Sequence, residues 1–422
     1  MKKLLILGGI KSECEIVLHA KKLGIYTIVA DYDINSPAKK LCDKSVLINA
    51  IKPNDIIEFC NKEKVDGIIT GYVDILLPCY LKATSALNLP CYLTSKMLSM
   101  STDKLDFKTT CENFDIPVPK TYYVGGKLTE EIFDSIVYPV FVKPLDASGS
   151  RGCSVCENEY ELKKNFNKAL KFSNSKTVLI EEYLVGREFL LDYVGMNGNF
   201  YMIEMFDRFM AKDRISARNY SNVSLAPSFA IDSYYEKIDS KVRSMFKKLG
   251  FKDGLIFLQG VYDEHNNIKL YEMGCRLGGT FVDLEQECLG VNSIDMLINY
   301  ALYGKMCDDI SIFSNNVAKF DKYATVNNYL LKGDNHKIDM ITGIDEIIKM
   351  PNVVRTIQHR DTGSFYGGEN IVDKPLFSIY FTGKTLDEIK ESILYQNSVF
   401  SAIDDKGESI LMEKIKPDTI KC

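Results

Sequence analysis

Residues 141–152 read FVKPLDASGSRG, and this stretch joins two predicted strands. The apolar residues before Lys143 continue one strand, and CSVC (153–156) after the glycines is typical of a second. A run of small residues with Gly149 and Gly152 can be an ordinary turn, or it can let backbone N–H groups approach phosphate. A Walker loop is not favoured, because that loop leads into a helix rather than a strand. Neighbouring parts of the sequence must decide between the turn and the phosphate loop.

The first hundred residues alternate apolar strands with helices. Four apolar runs predict strands, namely LLILGG (4–9), YTIVADYD (26–33), SVLINA (45–50) and VDGIITGY (65–72). Helical periodicity lies between them in ECEIVLHAKKLG (13–24) and NDIIEFCNKEK (54–64). This alternation predicts parallel βαβ units. The turn after the first strand lacks a full GxGxxG pattern, so a bound dinucleotide is not favoured.

The pattern changes after the two prolines of DIPVPK (115–120), which mark a boundary. One helix is predicted over 102–114, just before it. Beyond it, predicted strands return at short intervals, which favours an antiparallel sheet beside helices. Residues 254–279 predict a hairpin around the polar turn EHNN. A strand at 377–383 and a helix at 385–396 follow near the C-terminus.

The composition excludes several classes of function. The chain has 422 residues, which suits two or three domains, and 46% of them are hydrophobic. A net charge of −5 gives no reason to expect a nucleic-acid surface, and no apolar run is long enough to span a membrane. The start, MKKLLILGG, is interpreted as a buried strand rather than a signal peptide. Twelve scattered cysteines without export signal favour reduced thiols in the cytoplasm, and Cys153-x-x-Cys156 lacks the partner motif of a zinc site.

Four motifs follow one another in a particular order: Lys104 at a helix start, Lys143 before the glycine loop, EEYLVGRE (181–188), and Glu272-x-x-x-Arg276 at the end of the hairpin. Each motif is weak alone, and together they resemble the ATP-grasp superfamily. The likeness is greatest to the branch that contains biotin carboxylase, carbamoyl-phosphate synthetase large chains and purine-pathway ligases. It covers roughly residues 1–310, with a looser likeness in the tail.

The resemblance implies an α/β and α+β fold in three parts. Residues 1–100 would form an N-terminal parallel α/β (pre-ATP-grasp) domain. Residues 101–310 would form a two-lobe ATP-grasp domain, with the glycine-loop lobe at about 120–185. Residues 311–422 would form a small C-terminal α+β lobe that completes the substrate site.

The resemblance also implies an ATP site. Lys104 and Lys143 would place charges on the triphosphate from two lobes, and the loop would be a mobile lid. Adenine needs a hydrogen-bond acceptor for its amine and a donor for N1, which the strand end at Glu181–Leu184 would supply. Glu188 would accept from the ribose hydroxyls. The expected nucleotide-binding residues are Lys104, Lys143, Ser148, Gly149, Ser150, Gly152, Glu181, Glu182, Tyr183, Leu184 and Glu188.

A Mg²⁺ or Mn²⁺ site is implied at the hairpin, with Glu272 as its carboxylate ligand. Two positions depart from the family pattern. Gln259 stands where a second carboxylate is usual, and Gly274 stands where asparagine is usual. Gln259 can coordinate through its amide oxygen but brings no charge, and Asp263 is an alternative carboxylate. These departures keep a non-catalytic ATP-binding protein open as an alternative.

Arginines that follow the hinge segment EEYLVGRE (181–188) and one in the C-terminal region are candidates for binding an acidic substrate. A guanidinium binds carboxylate or phosphate with two hydrogen bonds. The candidate arginines are Arg208, Arg214, Arg218 and Arg360. A solvated charged loop explains any one of them equally well.

The function implied by the resemblance is an ATP- and Mg²⁺-dependent carboxylate–amine ligase that acts through an acylphosphate and releases ADP and phosphate. Arg276 and Lys143 would be the catalytic residues, stabilising charge on the transferred phosphoryl group. A stand-alone unit like carbamoyl-phosphate synthetase, phosphorylating bicarbonate or carbamate, is a second alternative. The expected partners are a small carboxylate and an amine, with no nucleic acid and no membrane, in a homodimer.

Overall fold

The computed structural model describes residues 1–147, 151–211, 220–311, 313, 318–333, 336–366 and 375–421. The chain begins with a four-stranded parallel sheet in the order β3-β2-β1-β4. Its strands are β1 (Lys3–Leu7), β2 (Tyr26–Asp31), β3 (Lys44–Leu47) and β4 (Gly67–Ile69). Leu4 to Leu7 are fully buried, as expected of a parallel strand covered on both faces.

Helices connect and follow these strands: α1 (Glu13–Lys22), α2 (Pro53–Glu63), α3 (Leu77–Leu87), α4 (Ser95–Thr102) and α5 (Lys104–Glu112). The sequence predicts one helix over 102–114, and this prediction is wrong at its start. Asp103 is extended, and its carboxylate accepts hydrogen bonds from the N–H groups of Leu105 and Asp106. This N-cap separates α4 from α5 and makes Lys104 the first residue of α5.

The glycine-loop lobe is a second four-stranded sheet, entirely antiparallel, in the order β5-β8-β6-β7. It consists of β5 (Thr121–Gly125), α6 (Glu130–Phe133), β6 (Val140–Pro144), β7 (Ser154–Cys156), α7 (Glu159–Phe172) and β8 (Val178–Glu182). The lobe has its own apolar core, in which α7 packs on the sheet through Leu162 and Phe166. The sequence 141–152 therefore does join two strands, β6 and β7.

The largest sheet has eight antiparallel strands in the order β13-β12-β9-β10-β11-β14-β18-β16. Its first part comes from β9 (Arg187–Met196), β10 (Asn199–Ala211), β11 (Tyr220–Ala226), β12 (Gly254–Tyr262) and β13 (Ile268–Gly274). The predicted hairpin is confirmed as β12 and β13. Helices α8 (Ile231–Tyr234), α9 (Ser240–Lys248), α10 (Val282–Leu289) and α11 (Ser293–Tyr303) accompany these strands.

The C-terminal region completes this sheet with β14 (Tyr323–Leu330), β16 (Val353–Gln358) and β18 (Pro375–Gly383). A smaller sheet of β15 (His336–Thr342), β17 (Phe365–Tyr366) and β19 (Ser401–Asp404) lies beside it, with α12 (Ile344–Ile348) and α13 (Leu386–Val399). One sheet thus contains strands from both sides of residue 310. The domain limits at 100 and 310 stay predictions.

The largest apolar cluster joins the N-terminal sheet to the first half of the eight-stranded sheet. Leu5 and Ile28 on one side and Leu191 and Leu258 on the other are fully buried in it. None of the described helices is long and apolar enough to cross a membrane. The predicted class, a parallel α/β region followed by antiparallel α+β regions, is confirmed.

Candidate active site

A cavity of about 1280 Å³ lies where the glycine-loop sheet, α5, the β12–β13 hairpin and the C-terminal segment meet. Its wall contains most of the residues that the sequence singles out: Lys104, Lys143, Glu181, Glu182, Tyr183, Leu184, Glu188, Arg208, Gln259, Glu272 and Arg276. These residues come from the helix start, the strand before the glycine loop, the hinge and the hairpin. The four motifs therefore converge on one space.

Five of the predicted site residues cannot be placed relative to this wall. Ser148, Gly149, Ser150, Arg214 and Arg218 lie outside the described residues.

Two other predicted residues are described but lie elsewhere. Gly152 is not part of the wall; it has a φ of +77°, and a Cβ there would lie 2.9 Å from Pro144 Cγ, so this position requires glycine. Arg360 also does not reach the wall, and its guanidinium stacks on the ring of Tyr366 at 4.9 Å. That Arg360 contacts the substrate stays a prediction.

Lys143 lies in a buried group of three charges. Its ammonium contacts Glu181 Oε1, and the other carboxylate oxygen accepts a hydrogen bond of 2.7 Å from Lys108 Nζ. The three side chains are only 1–5% exposed. Burial acts to raise the pKa of Glu181, but Lys143 and Lys108 outweigh it and hold the pKa below its usual value. The carboxylate expected to face adenine is thus held by two lysines.

Lys104 reaches the start of the glycine loop from the first turn of α5. Its Nζ donates to the carbonyl of Ala147 over 2.7 Å and lies 3.4 Å from that of Leu145. Burial lowers the pKa of Lys104, opposed by the charge of Glu272 and reinforced by that of Lys143. Two lysines from different elements therefore line the same end of the cavity.

The hinge, residues 181–188, begins at the end of β8 and lines the cavity. The carboxylate of Glu182 accepts hydrogen bonds of 2.7 Å from Lys269 Nζ and one of 3.0 Å from the N–H of Lys120. The N–H of Leu184 is the donor expected to meet adenine N1. No backbone carbonyl of the described residues accepts a hydrogen bond from it. Glu188 Oε2 accepts weaker hydrogen bonds from Arg208 and from the hydroxyl of Tyr271.

Gln259 and Glu272 lie directly opposite each other on β12 and β13. Cross-strand neighbours have their Cβ atoms about 5 Å apart, so both side chains can reach one ion. Within the described ranges, no group of three His, Cys, Asp or Glu is placed to hold a metal. One carboxylate and one amide oxygen fit Mg²⁺, which keeps water and phosphate oxygens as its other ligands. Mn²⁺ accepts the same oxygen ligands.

The structure explains one departure from the family pattern and rules out a substitute ligand. A Cβ on Gly274 would lie 1.9 Å from Phe257 Cε1, so the ring of Phe257 occupies the place of a larger side chain. Asp263 does not replace the missing carboxylate, because it closes the hairpin turn by accepting from the N–H groups of His265 and Asn267. Asp263 is also absent from the cavity wall.

Arg276 has an acidic partner that the sequence analysis missed. Its Nε and Nη2 donate to the two carboxylate oxygens of Asp74 at 2.6 and 2.9 Å. Its Nη1 donates to the carbonyl of Leu277 over 2.7 Å, and its guanidinium lies 4.7 Å from the centre of the Phe257 ring. Burial opposes the charge of Arg276, but Asp74 raises its pKa further. Three of its five N–H groups are thus used within the chain.

Three features in and around the site were not foreseen. Asp74 follows β4 at the carboxyl edge of the parallel sheet, a position that could have suggested a site residue. Lys108 stands one helical turn after Lys104, and that spacing was the available signal. Residues 412–416 of the C-terminal segment also line the cavity, for which no local motif exists.

Comparison with known families and proteins agrees with this geometry. Residues 116–282 match the family described as D-ala D-ala ligase C-terminus. A formate-dependent phosphoribosylglycinamide formyltransferase of Sulfurisphaera tokodaii is 30% identical over 43% of this chain and 47% of its own length. A carbamoyl phosphate synthase large chain of Clostridium beijerinckii is 27% identical over 56% of this chain and 22% of its own. These matches span about half or less of the curated relatives.

Solved structures cover nearly the whole chain. The L-amino acid ligase from Bacillus licheniformis superposes with a TM-score of 0.78 at 19% identity, covering 96% of this chain and 99% of that one. The phosphoribosylglycinamide synthetase from Anaerococcus prevotii gives 0.75 at 18% identity, with 96% and 100% covered. The biotin carboxylase domain of Hydrogenobacter thermophilus 2-oxoglutarate carboxylase gives 0.75 at 19%, with 96% and 91% covered. The resemblance to the ATP-grasp superfamily is confirmed, and the chain has its fold.

Proposed function

We propose that this protein is an ATP- and Mg²⁺-dependent ligase that joins a small carboxylate to an amine through an acylphosphate. The observation that carries the proposal is the convergence of Lys104, Lys143, the hinge at 181–188 and the Gln259–Glu272 pair on one cavity. A cavity of about 1280 Å³ exceeds the range of about 300–1,000 Å³ usual for ligand sites, so it has room for a nucleotide and a second molecule.

The residues divide the task by their charge and position. Backbone groups of Glu182 and Leu184 orient adenine, and Lys104 and Lys143 bind phosphate oxygens as point charges. Glu272 and Gln259 would hold Mg²⁺, which neutralises charge on the phosphates when it is bound. Asp74 fixes the guanidinium of Arg276, leaving two N–H groups that can meet the transferred phosphoryl group.

The proposed reaction has two displacements. A carboxylate oxygen of the substrate attacks the γ-phosphorus, the bond to the β-phosphate oxygen breaks, and ADP leaves. The amine nitrogen then attacks the acyl carbon, inorganic phosphate leaves, and the nitrogen loses a proton. Neither step needs a covalent bond to the protein, so positioning and charge stabilisation are what these residues contribute.

Likeness to the B. licheniformis L-amino acid ligase, which extends over nearly all of both chains, supports amino acids as the first substrates to test. We also propose a homodimer, because the H. thermophilus biotin carboxylase domain is a dimer in its solved structure. A cytoplasmic location is proposed as well, supported by the cysteines that are free among the described residues.

Release of ADP from the whole protein, measured with ATP, Mg²⁺ and pairs drawn from a panel of amino acids, carboxylates and amines, tests the proposal. ADP and phosphate release that requires two co-substrates supports it. Release with bicarbonate alone would instead favour a unit like carbamoyl-phosphate synthetase. ATP binding without turnover across the panel would favour the non-catalytic protein, for which Gln259 and Gly274 are the arguments.

A further inference from the structure

Lys108 is a fully buried lysine that belongs to none of the motifs. It lies on α5 one turn after Lys104, is 1% exposed, and donates to Glu181 Oε2 over 2.7 Å. Lys108 is not part of the cavity wall, whereas Glu181 and Lys143 are. A charged side chain that is buried without touching the ligand must act through its neighbour, which is Glu181.

The contact between Lys108 and Glu181 changes the net charge of the buried group that contains Lys143. Burial lowers the pKa of Lys108, but its ion pair with Glu181 opposes this effect, so we count Lys108 and Lys143 as two positive charges. Glu181 counts as one negative charge, because the two lysines keep its pKa low against the effect of burial. The buried group therefore has a net charge of +1. Without Lys108, the remaining Lys143–Glu181 pair would be neutral, and Lys143 would have no surplus charge to offer an anion.

We infer that Lys108 is a positioning residue that neutralises Glu181, so that the charge of Lys143 is available to a phosphate oxygen of the nucleotide. This inference rests on the proposed function, since it takes the cavity to be the ATP site. It assigns selectivity for phosphate-bearing nucleotides to a residue outside the cavity. A purely structural Lys108 would stabilise the fold and would not separate ATP from adenosine.

The experiment compares ATP with adenosine, and its readout is the ratio of the two dissociation constants measured by calorimetry on the whole protein. Adenosine shares every contact with ATP except those to phosphate, so damage to the adenine end cancels in the ratio. Four proteins give a series of net charge: E181Q at +2, the wild type and the double variant K108M/E181Q at +1, and K108M at 0. The preference for ATP should follow this series.

K108M should lower the preference for ATP about 10-fold or more, because the buried group that contains Lys143 loses its net charge of +1. The double variant should return to within about 3-fold of the wild type, although it carries two substitutions, since its net charge is restored. K108R keeps the charge and should behave as the wild type. K96M is the control, because Lys96 of α4 pairs with Asp106 of α5 and neither residue lines the cavity.

Other outcomes would overturn the inference. It is wrong if K108M weakens ATP and adenosine equally, or if the double variant binds ATP no better than K108M. If K108M does not fold, E181Q and the double variant still decide, since equal ATP preference in those two would contradict the charge series. A wild type that binds neither ATP nor adenosine would instead refute the proposed function, and the two failures are thus distinguishable.

Discussion

Glu181 and Glu204 are equally buried glutamates whose pKa values shift in opposite directions. Glu181 has a lysine at each oxygen, and its pKa lies below the usual value. Glu204 lies on β10 opposite Asp192 of β9, and among the described residues neither Lys nor Arg donates to it. Burial, together with the charges of Glu285 and Asp192, raises the pKa of Glu204 well above the usual value. The pKa values of two equally buried glutamates are thus shifted in opposite directions.

Burial by itself raises the pKa of a carboxyl group, because it disfavours the charged form. The difference between these two glutamates shows that charged partners decide whether the pKa ends above or below its usual value. The pKa is lowered at Glu181, which lines the cavity, and raised at Glu204, which lies in the interior of the eight-stranded sheet. Changes at each kind of acid should have different consequences.

The largest effect is expected for Lys143→Ala, which removes the charge that faces the ligand. Loss of a preorganised charge at a phosphoryl-transfer site costs about 100-fold or more in rate, so ADP release should fall at least that far. The fold should persist, because Lys108 still neutralises Glu181. Lys163→Ala, which breaks an exposed ion pair with Glu159 in the same lobe, is the control and should leave turnover unchanged. Near-normal ADP release in Lys143→Ala would contradict the phosphate role.

The same substitution at the two glutamates tests the comparison directly. Glu181→Gln leaves two buried ammonium groups without their carboxylate and should lower the free energy of unfolding by about 3 kcal/mol. Glu204→Gln puts a neutral amide where burial favours the neutral form of the acid, and it should change the free energy of unfolding by less than about 1 kcal/mol at pH 6. Urea denaturation at pH 6 measures both. Equal losses in the two variants would show that the states of these glutamates do not differ.

Glu272 differs from both buried glutamates, because the positive charge expected to pair with it is a Mg²⁺ ion taken up from solution. Glu272→Gln removes the only carboxylate of the Gln259–Glu272 pair, so the Mg²⁺ concentration that gives half-maximal ADP release should rise about 10-fold or more. Asp263→Asn is its control, because Asp263 is bonded within the hairpin turn and lies away from the cavity wall. An unchanged Mg²⁺ requirement in Glu272→Gln would place the metal elsewhere.

Glu13 gives an expected effect on stability that appears only when the pH changes. It is fully buried, accepts one hydrogen bond from the N–H of Tyr72, and burial raises its pKa from 4.5 to about 7. An acid whose pKa rises on folding stabilises the fold fully below its unfolded pKa, and this contribution is lost as the pH rises through the folded pKa. The wild type should therefore lose about 2 kcal/mol between pH 5 and pH 8 that Glu13→Gln does not lose, because each pKa unit corresponds to about 1.4 kcal/mol.

Thermal melts of both proteins across this range measure the difference. Glu58→Gln, at an exposed position of α2, should keep the slope of the wild type. Parallel curves for Glu13→Gln and the wild type would mean that Glu13 stays ionised in the folded protein.

Local patterns were enough for part of this structure. Strand–helix alternation predicted the parallel sheet, and two apolar runs around EHNN predicted the hairpin that pairs Gln259 with Glu272. The Arg276–Asp74 contact was beyond such reasoning, because it joins residues 202 positions apart. Lys108 was missed for a different reason. A lysine on a helix is normally solvated, and this one is internal because the fold brings it to Glu181 of β8, 73 positions away in the sequence.

Gly274 shows the same limit from the other side. The sequence marks it as a missing metal ligand, whereas the structure shows a ring contact that excludes any side chain. The space beside Gly274 is filled by the ring of Phe257 on the neighbouring strand. That these two residues are paired follows from the register of β12 and β13, which the sequence alone does not give.

The eight-stranded sheet has a consequence for how the chain folds. β11 (Tyr220–Ala226) pairs with β14 (Tyr323–Leu330), so its outer hydrogen-bonding edge stays open until about a hundred more residues have been made. Such late, non-local pairing slows folding, and an open strand edge is a template for pairing with other chains. Newly made protein should therefore be most prone to aggregation in the interval after β11 has left the ribosome and before β14 has emerged.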